Sequence, residues 1–432
     1  MPLLPPEPAP EPAPEDATDA LVDGDRVLTR GTAQAALSHR EFRIVWGGTF
    51  ASNIGTWMQN VLLGAYAFRL THSTTYVGLL FFAQLGPLLV LSNVGGVLAD
   101  VLDRRRLLLS TQVQQLVFSI VLAVIVITDN PSRVVLFLCV FIIGIGNALG
   151  APALSAILPT LVPKPDLPGA VSLQSVQMNL SRVIGPAIGA AIYTSVGVAP
   201  VFFINAGTYL FAIVALLSVD YPRHPAKRGT GSVLNRLSEG FRIARADPLI
   251  RRVLIILFSM SFFSLAFVGL MPAIAAKNFG IAPRSLDYGV LYGVFGLGAA
   301  LGAVSVGTWF ASVAKARLVR PAFLAFSALL ATFALVRAPW AAFIVAPLLG
   351  YAYFVVITSL STVLQSHVDD AVRGRVVALW IMGFGGTVPL GVLVGGFVAH
   401  ETSITFVLLV GAAATVVLAA YADLRSVTPA SS

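Results

Sequence analysis

The sequence predicts an all-α polytopic membrane protein, with twelve transmembrane helices in two pseudo-symmetric six-helix bundles. Of its 432 residues, 57% are hydrophobic and 11% are charged, whereas a soluble globular domain has about 25% charged residues. Its mean hydropathy is +0.85. A soluble core cannot bury so much apolar surface, but a lipid bilayer can solvate it. The composition therefore argues against a soluble enzyme, a nucleic-acid-binding protein or a disordered chain.

Twelve apolar runs are long enough to cross the membrane, because about 20 apolar residues in a helix span the hydrocarbon and satisfy their own backbone. The runs cover residues 44–68, 75–99, 106–128, 133–161, 169–195, 198–219, 252–276, 288–311, 321–338, 340–366, 376–398 and 403–424. Only Arg337, Ala338 and Pro339 separate the ninth run from the tenth. An even number of spans places both termini on the same side.

The distribution of Lys and Arg predicts which side that is. Of the 28 such residues, 22 fall in the tails and the even-numbered connections, 5 fall in the odd-numbered connections, and Arg182 lies within a span. Connections rich in Lys and Arg stay inside the cell. We therefore expect a multi-pass protein of the plasma (inner) membrane, with both termini in the cytoplasm.

The runs also set the expected domain boundaries. A disordered cytoplasmic tail is expected over 1–41, because this stretch is rich in Pro and acidic residues. Its opening residues lack the basic start and apolar segment of a signal peptide. The two bundles are expected over 42–220 and 251–425, with a cytoplasmic linker over 221–250 and a short tail over 426–432.

The linker contains a pattern typical of an amphipathic helix. Leu237, Phe241 and Ala244 share one helical face, whereas the charged residues around them point elsewhere. We expect this helix to lie on the inner leaflet.

Parts of the sequence repeat. A shift of 206 residues brings the fourth and fifth spans onto the tenth and eleventh, so that Gly185 and Gly189 fall on Gly391 and Gly395. Repeated halves in a polytopic protein are typical of alternating access, in which two bundles rock about a central site.

The connection between spans two and three reads Gly96-Val-Leu-Ala-Asp100-Val-Leu-Asp103-Arg104-Arg105-Arg106. It resembles the signature of the major facilitator superfamily, roughly G-x-L-A-D-R-x-G-R-R, and departs from it at Val101 and Asp103. The resemblance implies a gate in which Asp100 faces the start of the eleventh helix when the cytoplasmic side is closed. The residues assigned to this gate are Gly96, Asp100, Arg104, Arg105, Arg106, Arg373 and Arg375. The basic cluster also retains the connection inside the cell.

Two further stretches narrow the resemblance. Gly185, Pro186 and Gly189 are similar to the G-P-x-x-G end of the superfamily's antiporter signature, and they predict a kinked, closely packed helix; an ordinary kinked helix remains an alternative. The stretches 52–60 and 84–87, together with 373–375, resemble the branch that contains siderophore and drug exporters. This resemblance implies efflux of an amphipathic small molecule.

Polar stripes run along the first and fifth spans. Such stripes on membrane helices face a bundle interior or a wet cavity, because lipid cannot satisfy them; helix–helix hydrogen bonding is the alternative. The candidate substrate-binding residues are Asn53, Trp57, Asn60, Asn147, Ser175, Asn179, Arg182 and Tyr353.

Arg182 is the ionisable residue predicted near the centre of a span, and no acid, Lys or His is predicted at the same depth. Water, helix carbonyls or an anionic group of the substrate must then stabilise its charge. We therefore expect Arg182 to bind an acidic or polar group of the substrate; a structural role at the cavity wall is the alternative.

These observations favour a secondary active transporter that exports an amphipathic small molecule (a drug, antibiotic or siderophore) by alternating access. Proton coupling is implied by the resemblance and by the partial Gly-Pro signature alone, since no acid or His that could carry the proton is predicted at mid-membrane. ATP is not expected to be the direct energy source, because no G-x-x-x-x-G-K-[ST] loop is present. An importer or facilitator of a small metabolite, and a transport-inactive receptor or scaffold, remain alternatives. We expect a monomer without enzymatic activity, cofactor, metal or nucleic-acid partner, whose partners are its small-molecule substrate, protons and lipid. The single Cys139 is expected to be a core residue.

Overall fold

The computed structural model describes residues 30–91, 94, 98, 102–128, 131–157, 160–219, 221 and 233–422. Within these residues the regular secondary structure is entirely helical. The helices are α1 (Ala33–Ser38), α2 (Arg40–Thr71), α3 (Thr74–Leu85), α4 (Arg104–Ile125), α5 (Arg133–Ile157), α6 (Leu167–Val196), α7 (Val198–Leu217), α8 (Val233–Ala246), α9 (Pro248–Ser259), α10 (Ala266–Phe279), α11 (Leu286–Gly307), α12 (Lys315–Leu335), α13 (Pro339–His367), α14 (Asp370–Ile381), α15 (Thr387–Glu401) and α16 (Ile404–Tyr421). Single π-helical turns at Met260–Ser264 and Met382–Gly386 join α9 to α10 and α14 to α15.

Ten of the described helical segments are long and apolar enough to cross a membrane. They include α3, which belongs to a segment Thr74–Leu91, and the continuous pairs α9–α10 and α14–α15. The protein is therefore a multi-span membrane protein. The longer helices α2 and α6, of 32 and 30 residues, are outside these ten. The break predicted between the ninth and tenth runs is confirmed, because α12 ends at Leu335 and α13 begins at Pro339.

The helices before α8 form what we call the first half, and those after α8 the second half. Within the first half, α2 packs on α6 and α7, and α4 packs on α5 and α7. Within the second half, α13 packs on α11 and α12, and α16 packs on α12. The halves meet where α3 packs on α15 and α6 packs on α11.

We call the side of the molecule with α8 the linker side, and the opposite side the far side. Glycines bring the two halves close together between the helix centres and the far side. A Cβ atom built on Gly78 would lie 2.8 Å from the carbonyl oxygen of Val392, and one built on Gly289 would lie 2.1 Å from the Cβ of Ala190. The halves are therefore in direct contact at the far side in this conformation.

The start of the chain's described part differs from the expected tail. Residues 33–38 form α1, in which Ala36 is completely buried, so the folded part begins before residue 41. Thr32 caps this helix by accepting a hydrogen bond from the backbone N–H of Ala35. The sequence did not indicate this helix, because six residues are too few to form a stable helix alone, and α1 packs against α6.

The linker-side ends of each half are tied together by a histidine–aspartate pair. In the first half, His39 Nε2 at the start of α2 lies 2.9 Å from Asp166 Oδ2, just before α6. In the second half, His367 Nε2 at the end of α13 lies 2.8 Å from Asp247 Oδ2, just before α9. Asp166 also accepts a hydrogen bond from the backbone N–H of Gly31, which fixes the segment before α1.

These hydrogen bonds predict a pH-dependent contribution to stability. The N–H of Gly31 and the ring of His39 lower the pKa of Asp166 in the folded protein. Its contribution is therefore present above the pKa of an unfolded Asp, about 3.9, and is lost as the pH falls through the lower folded value. We expect Asp166→Asn to lower the melting temperature of the purified protein at pH 7, and the difference from wild type to shrink near pH 3. Asp287→Asn, at an exposed acid in α11, is the control; an equal loss there would contradict the assignment.

Candidate functional site

Arg182 lies in the middle of α6 and touches aromatic rings from both halves. Its guanidinium carbon is 4.8 Å from the ring centroid of Trp57, in the middle of α2. The same carbon is 5.6 Å from the ring centroid of Phe354, in the middle of α13. Each such cation–π contact is worth about 0.5–2 kcal/mol, depending on how far water is excluded. The site is therefore built jointly by the two halves at mid-helix depth.

The charge of Arg182 has no partner among the described residues. Its Nε atom is enclosed and donates to no described acceptor. The acids that the structure describes lie at helix ends or in the connections, as Glu41, Asp247 and Glu401 illustrate. A guanidinium in the apolar interior costs several kcal/mol unless water or a counter-charge stabilises it. The arrangement is therefore suited to an anionic ligand.

The second half contributes an aromatic wall next to Arg182. Tyr353 packs against the rings of Phe267, Phe295, Phe326 and Phe354, with centroid distances between 4.8 and 6.5 Å. Tyr292 joins this wall through Phe295, with ring centroids 6.1 Å apart, and Phe354 connects the wall to the guanidinium. Tyr353 was among the residues predicted from the sequence, but Phe354 and Tyr292 were not, because aromatic residues in an apolar span give no separate signal.

The polar residues of α2 divide between two environments. Asn60 accepts a hydrogen bond from the Gln84 side chain of α3. Gln59, one residue earlier, points into the first half, where its Oε1 accepts hydrogen bonds from Ser119 at 3.1 Å and Asn205 at 2.9 Å. Neighbouring residues on a helix point about 100° apart, so Asn60 and Gln59 reach different helices of the first half. No pattern in the sequence indicated this buried network.

Other predicted binding residues are not shown in contact with Arg182. Asn53 and Asn147 are half-buried. Asn179 donates to the backbone oxygen of Ser175 at 2.9 Å, and Ser175 donates to that of Val171 at 3.2 Å. The geometry thus brings together Trp57 and Arg182, with Tyr353 in the adjoining aromatic wall. The remaining assignments stay predictions.

The predicted gate is described only in part. Gly96 and Asp100 lie outside the described residues. The guanidinium of Arg105 donates to the backbone oxygen of Leu217 at 3.0 Å and lies over the Tyr221 ring, so it braces the end of α7 within the first half. The backbone N–H of Arg106 donates a hydrogen bond to the carboxylate of the N-cap residue Asp103 at 2.8 Å, and Arg104 begins α4.

The second-half residues of the predicted gate have described contacts with the linker helix and with their own half. Arg375 Nε lies 3.2 Å from the carboxylate of Glu239 in α8, and Arg373 donates to the backbone oxygen of Val368 at 3.4 Å. The linker helix therefore docks on α14. Ala244 is buried and Phe241 is 48% exposed, and Gly240 lets α8 approach Arg375 and Leu379 closely.

Glycines position α6 against α2 beside the site. A Cβ atom on Gly185 would lie 2.6 Å from the carbonyl oxygen of Ile54, and one on Gly189 would lie 2.5 Å from the Cγ of Met58. Pro186 lies between them within a continuous α6. This close approach places Trp57 and Arg182 side by side.

Comparison with known proteins agrees with this architecture. A family model described as a transmembrane secretion effector matches residues 31–431. The enterobactin exporter EntS of Escherichia coli O1:K1 / APEC is 29% identical over 344 residues, which cover 79% of this chain and 81% of that protein. The enterobactin exporter EntS of Shigella boydii serotype 18 matches with the same identity and coverage.

Two solved structures show the same fold. One is a bacterial homologue of the human lysosomal transporter Spinster, in an inward-facing and unoccupied conformation, with a TM-score of 0.69 at 15% identity over 90% of this chain and 99% of that chain. The other is the nucleoside transporter NupG, with a TM-score of 0.66 at 15% identity over 88% of this chain and 98% of that chain.

The glycine packing beside the site can be tested by adding a single methyl group. We expect Gly185→Ala to lower the melting temperature, because its Cβ would meet the α2 backbone. The matched control is Gly207→Ala in α7, where nothing lies within 4 Å of the added atom; there, Ala is favoured over Gly in a helix by about 0.5–1 kcal/mol. Equal melting temperatures for both variants would contradict the close α2–α6 contact.

Proposed function

The chain belongs to the transmembrane secretion effector family of major facilitator superfamily transporters, and from this premise we propose that it exports an amphipathic, anionic small molecule by alternating access. It is a transporter and not an enzyme. The cargo would be a drug, an antibiotic or a siderophore.

The observation that carries the proposal is the guanidinium of Arg182 between Trp57 and Phe354, which has no acidic partner among the described residues. An oxyanion on the cargo would supply that partner. Charge-assisted hydrogen bonds from Arg to a planar oxyanion are among the strongest in proteins. Because the flanking rings come from opposite halves, a ligand held there would contact both halves at once.

The aromatic wall supports an amphipathic cargo. Tyr353 and the Phe rings around it offer a large apolar surface beside the charge, and aromatic side chains bind flat apolar groups well. The relatives that are called enterobactin exporters support export of a siderophore-like molecule. NupG, which has the same fold, is named as a nucleoside transporter, so the fold itself carries no information on the cargo.

We further propose the arrangement in the membrane. Together with the ten apolar segments, the long helices α2 and α6 give twelve spans, six in each half. The protein would act as a monomer, because one chain carries a whole site. The excess of Lys and Arg in the linker-side connections supports a cytoplasmic linker side with both termini in the cytoplasm. The far side would then face outward. In this conformation the halves touch at the far side.

The cargo proposal predicts a loss of export when Arg182 is replaced. In cells challenged with a panel of fluorescent or toxic organic anions, we expect Arg182→Ala to abolish the efflux conferred by the wild-type protein. Without the guanidinium, an anion bound in the site would have no positively charged partner. Arg182→Lys should retain partial efflux, since it keeps the charge but loses the planar donor set. Arg337→Gln, at an arginine bonded within the second half, is the control. Equal efflux by Arg182→Ala at equal expression would refute the assignment.

We also propose that export is coupled to protons, which the Gly185-Pro186-x-x-Gly189 sequence supports. Collapse of the proton gradient with a protonophore should then stop efflux against a concentration gradient in proteoliposomes. Unaffected uphill efflux would remove proton coupling while leaving the role of Arg182 intact.

A further inference from the structure

Among the described residues, two hydrogen-bonded contacts join the halves at the far side, and they involve corresponding helices of the two halves. In one, the loop before α11 in the second half reaches the last turn of α6 in the first half. In the other, the first residue of α3 in the first half reaches Gly396, in the far-side part of α15 in the second half. Each contact therefore links the start of one helix to the far-side part of a helix in the other half.

Arg284 makes the first contact. Its Nε donates to the backbone oxygen of Tyr193 at 3.1 Å, and its Nη2 donates to that of Thr194 at 3.5 Å. The guanidinium also lies 5.8 Å from the centre of the Tyr193 ring. Tyr193 and Thr194 belong to the last turn of α6, whose carbonyl groups carry the negative end of the helix dipole. The oxygen of Tyr193 also accepts a hydrogen bond from the backbone N–H of Gly197, so Arg284 adds a second donor there. Arg284 thus caps α6 from the opposite half.

Thr74 makes the second contact. Its buried hydroxyl donates to the backbone oxygen of Gly396 at 2.8 Å. A Cβ atom on Gly396 would lie only 2.5 Å from the carbonyl oxygen of Thr74. The absence of a side chain at Gly396 is therefore what allows the two helices to approach within bonding distance.

The local structure around the two contacts is the same. Ser73 caps α3 by accepting a hydrogen bond from the backbone N–H of Tyr76, and Ser285 caps α11 by accepting one from that of Tyr288. The two serines are 212 residues apart. These caps fix the positions from which Thr74 and Arg284 reach across, so the symmetry extends to the supporting residues.

We propose that Arg284 and Thr74 form a two-fold latch that holds the far side closed and must release before the central site can open there. The latch rests on the proposed alternating-access transport. Both bonds join groups in different halves, so neither can persist when the far-side ends of the halves separate. These bonds therefore stabilise only the far-side-closed conformation, and they shift the equilibrium between the two conformations toward it.

Arg337 supplies a matched control on the same side of the molecule. Its guanidinium donates to the backbone oxygens of Ala334 at 2.7 Å and Val336 at 2.8 Å, and to the Thr405 hydroxyl at 3.0 Å. These are bonds of the same chemical kind as those of Arg284, but all of them lie within the second half. They move with that half as it rocks, so their loss leaves the balance unchanged.

The test measures the separation of the far-side ends directly. Spin labels on Ile127→Cys and Trp340→Cys, at side chains that are 62% and 69% exposed, report the distance between the halves by pulsed electron resonance in a Cys139→Ser background. Arg284→Gln and Thr74→Val should each raise the ratio of far-side-open to far-side-closed molecules by about 5- to 10-fold, as expected for loss of one hydrogen bond. Arg284→Lys should give a smaller shift, and Arg337→Gln none.

The outcomes separate the latch from the export proposal. An unchanged distance distribution in both Arg284→Gln and Thr74→Val, or an equal shift in Arg337→Gln, would overturn the latch whatever the cells export. A shift confined to the latch variants supports it, even if no compound in the panel is exported, in which case the export proposal fails alone. Should Arg284→Gln fail to fold, Thr74→Val carries the test, since it keeps the side-chain shape and removes only the hydroxyl donor.

Discussion

The electrostatic cost of one guanidinium in an apolar environment governs the organisation of this site. Arg182 is central in α6, and no described residue neutralises it. In lipid such a charge is too costly to keep facing outward, so α6 must turn this face toward the molecule's interior. That requirement orients the helix, and the small residues on the same helix then allow α2 to approach. The aromatic rings of Trp57 and Phe354 give the charge partial compensation without neutralising it.

Partial compensation is what a binding group needs. A buried carboxylate beside Arg182 would have formed a stable pair and removed the reason to bind an anion. Aromatic faces stabilise the cation more weakly, so water or a ligand oxyanion still lowers its energy. Since one ring belongs to each half, the relative position of the halves determines how enclosed the charge is. In the proposed alternating access, the chemistry of the site and the movement of the halves are therefore connected at a single side chain.

Hydropathy predicted the helical segments and the break at Arg337–Pro339, because these depend on local composition. Arg182 was also predictable, since a lone charge in an apolar run is conspicuous. The contacts around it were not: Phe354 and Gln59 sit in sequence contexts that resemble any other apolar or polar stripe, and their roles depend on which helices become neighbours. The helix α1 and the histidine–aspartate pairs were missed for the same reason, because the partners are more than 100 residues apart.

The contact between the halves reconciles stability with movement. Inside lipid, apolar side chains gain little by leaving a neighbouring lipid for a neighbouring helix, so close packing and hydrogen bonds decide association. At the far side the close packing comes from glycines such as Gly78 and Gly289, which bring backbones of the two halves together. In the proposed mechanism, the bonds that cross this surface contribute to the energy difference between the two conformations.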